Sequence, residues 1–101
     1  MKPTAQIASM AELRAVIDAL DAELVAGLAL RSRLIDRAAE LKPAEGMPAR
    51  IPERVDAVLA NVRTEAIARG LDPALIEALW RLIVDWSIAR EEVVLGKGEG
   101  S

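Results

Sequence analysis

Arg14, Arg31 and Lys42 fall on one heptad seam with Ile17, Asp21, Leu24, Leu28, Ile35 and Ala38, a stripe of five apolar and four charged positions. A charge on such a seam costs on the order of several kcal/mol unless something compensates it. Arg31 poses the problem most sharply. Its neighbours three and four residues away are Gly27, Leu28, Leu34 and Ile35, so its own helix offers no carboxylate. Either another element or a ligand supplies the anion, or the guanidinium snorkels to the surface at the edge of the seam. Arg14 has Asp18 one turn on, and Lys42 stands at a helix end, where a cation suits the dipole in any case. Together the three cations suit a small dianion, because guanidinium forks grip carboxylates bidentately.

Geometry separates the two arginines within one chain. They are 17 residues apart, which places them on a shared face but ~26 Å from each other. An antiparallel dimer with its two-fold near residue 22 sets Arg14 of one protomer beside Arg31 of the other and makes two identical composite pockets. Arg54, in the first turn of a second helix, is unfavourable for that helix's dipole, a cost that a bound anion offsets. Ser87 and Glu91 stand at i and i+4 on a stripe with Trp80, Val84 and Val94. They are either donors to the same pocket or the polar edge of an amphipathic helix. Trp80 and Trp86 read as core.

Three helices must position these groups. Ser9-Met10-Ala11-Glu12 is a capping box, with Ser9 and Glu12 each expected to satisfy an orphan amide. It opens a helix that runs to about Leu41, where Pro43 stops it. Such a helix is roughly 48 Å long, more than a domain of this size can bury alone. Residues 43–51 form a loop with two prolines and a glycine. Pro52 then starts a helix through Val55, Val58, Leu59, Val62 and Ala66 that ends at Gly70. Asp72-Pro73 opens a third, through Leu75, Ile76, Leu79, Ile83, Val84 and Ile88 to about Leu95. The pattern predicts an all-α chain: a lead-in over 1–9, one helical domain over 10–95 with a long first helix, and a flexible glycine-rich tail over 96–101. An intertwined helical homodimer is the assembly that buries the long helix.

Composition narrows the chemistry. The chain has 101 residues, 52% of them hydrophobic, with two Trp and neither Phe nor Tyr. It holds no Cys and no His, which removes disulfides, thiolate nucleophiles, Ser-His relays and nearly every zinc or haem site. A net charge of −3 and an isoelectric point near 5.0 argue against nucleic acid as a partner. No apolar run approaches the ~18 residues of a membrane span, and residues 1–9 lack the form of a signal peptide. The expectation is a cytoplasmic protein without metal or cofactor.

In order and spacing, Met10 to Asp21, Leu30-Arg31 through Lys42, Pro52-Glu53-Arg54, and Leu82 to Glu91 resemble the small all-helical chorismate mutases, a family that includes the related isochorismate pyruvate lyases. The likeness spans residues 10–95. It implies that Arg14 crosses from the opposite protomer to bind one substrate carboxylate and that Arg31 binds the other end of the enolpyruvyl system. Lys42 would contact carboxylate and ether oxygen, Arg54 would help through its charge, and Ser87 would lie near the ring carboxylate. Glu91 stands where many members carry Gln, the second donor to the ether oxygen. Lys42, Glu91 and Arg31 would thus be the catalytic residues. Ile51 and Val55 depart from the pattern, since mutases commonly hold Asp and Glu there. The lyase branch similarly lacks these acids.

The implied reaction is the pericyclic rearrangement of chorismate to prephenate, which needs no proton transfer and no nucleophile. It needs a clamped reactive conformer and a cation at the ether oxygen. An ionised Glu91 cannot donate a hydrogen bond to that oxygen, so activity is expected to fall as pH rises. Isochorismate pyruvate lyase activity, yielding salicylate and pyruvate, is the nearest alternative. A non-catalytic helical dimer binding a small dicarboxylate is the other.

Overall fold

The Ser9 hydroxyl accepts the Glu12 backbone N–H at 3.1 Å, as the capping box requires. The return bond differs from expectation: the Glu12 carboxylate takes the N–H of Ala8, at 3.4 Å, rather than that of Ser9. Lys2 holds the same carboxylate from outside, drawing it one residue further back along the chain. From this cap the first helix, α1, runs Met10–Leu41. A computed structural model of the chain describes residues 2–96, with α2 at Pro52–Ala68 and α3 at Pro73–Leu95. Short 3₁₀ turns lie at Thr4–Gln6 and Pro43–Glu45. The described residues include no strand. Met1 and residues 97–101, most of the expected tail, lie outside them.

Helix ends follow the sequence signals closely. Between α2 and α3 the chain closes a Schellman motif: Leu71 N–H donates to Ala66 O at 2.8 Å and Gly70 N–H to Ile67 O at 3.2 Å. Gly70 adopts φ +73 to make this turn, a left-handed conformation that only glycine enters without strain. Asp72 then accepts the Ala74 N–H at 2.9 Å and caps α3.

The chain divides within α1 into two units, Met1–Arg33 and Leu34–Ser101. In the first, none of the described residues is buried, and the apolar face of α1 stands open: Leu24 is 59% exposed and Val25 65%. The second holds the core. Ala49, Val84 and Ile88 form a buried cluster against which Val55, Val58, Trp80 and Leu95 pack. Each large aliphatic side chain buried there contributes about 1.5–3 kcal/mol. Arg63 on α2 meets Glu77 on α3 at 3.0 Å and links the two packed helices at the surface.

Two expectations about α3 need correction. Trp80 packs on the core, but Trp86 is 52% exposed and Val94 69%. The inward stripe is Val84, Ser87, Ile88 and Glu91. At 100° per residue Trp86 points nearly opposite to it, and Val94 lies beyond its edge.

Candidate functional site

Lys42 ends α1 and begins the turn that brings partners to its own side chain. Its N–H still donates to Ala38 O at 2.9 Å, completing the helix, and Pro43, without an N–H, stops the ladder. The Lys42 carbonyl instead accepts Glu45 N–H at 3.1 Å and Met47 N–H at 3.0 Å, and Gly46 at φ +69 reverses the chain. The returning segment buries Ala49. The ammonium of Lys42 then donates to the Ala49 carbonyl at 2.8 Å and lies 2.6 Å from Glu91 Oε1.

Glu91 is 4% exposed and Ser87 3%, one turn apart on the inward stripe of α3. Charge explains how the carboxylate is tolerated there, since a buried ion is held only when paired. The ammonium at 2.6 Å is the partner of Glu91 Oε1, which has no other among the described residues. The Ser87 hydroxyl donates to Ile83 O at 2.8 Å.

Two exposed ion pairs also lie on α3. Arg50 reaches Asp85 at 3.0 Å, and Arg90 forms a fork with Asp36 through Nε to Oδ1 and Nη2 to Oδ2. Hydrogen bonds from Arg90 hold the Asp36 carboxyl below its ordinary range, and the same contact raises Arg90.

Of the sequence-predicted residues in the Leu34–Ser101 unit, the fold brings Lys42 and Glu91 into contact, with Ser87 beside Glu91. Arg54 is exposed in the first turn of α2 and joins no ion pair among the described residues. Ile51 is the N-cap of α2 without a side-chain cap bond, and Val55 packs against the apolar cluster. In the Met1–Arg33 unit, Arg14 is exposed, while Arg31 is half-buried and engaged. No cluster of three or more metal-ligating side chains exists among the described residues, and no described helix is long and apolar enough to cross a membrane.

Residues 13–92 match the family model described as chorismate mutase type II. The chain belongs to that family. Among curated relatives, it is 38% identical over 84% of its length to the T-protein of Enterobacter agglomerans, of which it spans 23%. It is 34% identical to the isochorismate pyruvate lyase of Pseudomonas aeruginosa, covering 90% of this chain and 89% of that one. The 4-amino-4-deoxychorismate mutase of Streptomyces pristinaespiralis is 30% identical over 95% of this chain and 74% of its own. An all-α architecture is thus shared by family and fold.

Sequence reasoning missed three participants. Ala49 contributes a backbone carbonyl, which leaves no trace in residue type. Asp36 and Arg90 are 54 positions apart, and each looks like an ordinary surface charge on its own helix.

Proposed function

We propose that the chain is a chorismate mutase, rearranging chorismate to prephenate by conformer selection and electrostatic stabilisation, without cofactor. The observation that carries this reading is the partly buried ammonium of Lys42, held between the Ala49 carbonyl and Glu91 in a chain of this family. In the reaction one ether C–O bond breaks as one C–C bond forms, and negative charge grows on the ether oxygen. Lys42 stabilises charge that appears only in the transition state. Glu91 can add a second donor to the same oxygen only in its protonated form.

Arg31, and Arg14 from a second copy of the chain, clamp the carboxylates, with Arg54 and Ser87 assisting. The open apolar face of α1 before Leu34 supports a homodimer, because none of the described residues of the Met1–Arg33 unit is buried in the single chain. Preorganised bidentate contacts make the reactive conformer the bound one.

Isochorismate pyruvate lyase activity is the second reading. It draws support from the apolar Ile51 and Val55, the latter packed into the core, which offer nothing polar to a ring hydroxyl. Incubation with chorismate and isochorismate separately decides between them. Prephenate from chorismate supports the mutase, salicylate with pyruvate from isochorismate supports the lyase, and no turnover of either overturns both.

A further inference from the structure

We infer that the exposed Asp36–Arg90 ion pair is a positioning device for Lys42, holding the end of α1 in register with α3 when a ligand draws the ammonium away from Glu91. Arg90 immediately precedes Glu91, and Asp36 lies six residues before Lys42. The two helices are therefore joined twice over a short stretch, by an outer link with the acid on α1 and an inner link with the acid on α3. The links differ in kind. The inner one joins one nitrogen to one oxygen, at 2.6 Å. The outer one uses two nitrogens on two oxygens, with Nη2 to Oδ2 at 2.9 Å.

A fork of that geometry fixes orientation as well as distance. Trp86, one turn before Arg90, supplies an aromatic face 5.3 Å from the guanidinium carbon. Stacking orders the arginine before it meets the carboxylate, so less freedom is lost in pairing. This also gives exposed Trp86 a task that its absence from the core leaves unexplained. A lone exposed ion pair contributes little to stability, and the role here is alignment. Arg50–Asp85 is the contrast: it joins through one oxygen contact at 3.0 Å, on another flank of α3, and fixes no orientation.

For its effect on turnover the inference rests on the proposed mutase reading; for its effect on Lys42 it does not. The test compares wild type with Arg90→Met, Asp36→Asn, the charge-reversed double variant D36R/R90D and, as control, Asp85→Asn. Two quantities are read: kcat and KM on chorismate, and the solvent-exchange rate of the Lys42 ammonium by NMR in the unliganded protein. Breaking the fork is expected to lower kcat about tenfold with KM changed less than about twofold, the signature of a displaced transition-state donor. Lys42 exchange should accelerate in both single variants and return toward wild type in the double, while Asp85→Asn matches wild type throughout. Single variants that lose only thermal stability, with kcat and Lys42 exchange unmoved, overturn the inference. Should wild type turn over neither chorismate nor isochorismate, the functional reading fails, and the Lys42 signal alone still decides the positioning role.

Discussion

Lys42 carries two duties with one ammonium group: it ties the returning loop to the end of α1 through Ala49 O, and it faces Glu91 in the interior. Its removal should therefore show in rate and in stability. Lys42→Ala is predicted to lower kcat by 10²–10³, about 2.7–4 kcal/mol, and to destabilise the fold by about 3 kcal/mol by leaving a buried carboxylate unpaired. Steady-state kinetics and urea titration measure the two separately. Near wild-type turnover would remove Lys42 from the mechanism. Glu91 gives a sharper test. If its protonated form is the active one, kcat/KM on chorismate falls as pH rises, and Glu91→Gln, a donor at every pH, loses that dependence. A flat profile in the wild type would contradict the role. Lys42 stood out in the sequence as a charge on an apolar seam, and Glu91 through its place one turn from Ser87 and the family resemblance. That they partner each other was not legible, since the Gly46 turn and the path of the loop decide it.

At the scale of elements, punctuation was the most readable feature. Ser9, Pro43, Pro52, Gly70 and Asp72 each mark a helix end in the sequence, and each does so in the fold. Gly70→Ala tests one of them. Nothing lies within 4 Å of a Cβ placed there, so the cost is purely the backbone's. A loss of about 1–2 kcal/mol in urea denaturation is predicted. Helix faces were less readable: an indole is a good core residue by type, and only packing reveals that Trp86 serves an exposed arginine instead. The α2–α3 pair carries a pH signature of its own. Hydrogen bonds from Arg81 and then Arg63 hold Glu77 below the ordinary carboxylate range. A depressed folded-state value means stabilisation present above the unfolded carboxylate value and lost as pH falls through the folded one. Glu77→Gln should therefore lower the thermal midpoint at neutral pH and match wild type in strong acid. An equal deficit at both pH values would assign the effect to packing.

At the scale of the whole molecule, the proposed homodimer rests on how open the single chain is. Its first unit buries no described residue, while Leu20, Leu24, Leu28 and Leu30 are all more than two-fifths exposed. The sequence foretold the long first helix from length and periodicity alone, and its seam-borne arginines were the reason to expect a covering partner. It could not supply the mate. The proposed antiparallel homodimer would meet both needs and divide each site between two chains, with Arg14 crossing to the protomer that supplies Lys42. The decisive measurement mixes two inactive variants, Arg14→Ala and Lys42→Ala, under conditions of subunit exchange. Each mixed dimer would hold one intact site, so activity on chorismate should recover to about a quarter of wild type, as random pairing of subunits requires. Mixtures that exchange subunits yet stay as inactive as their parents would contradict the shared site.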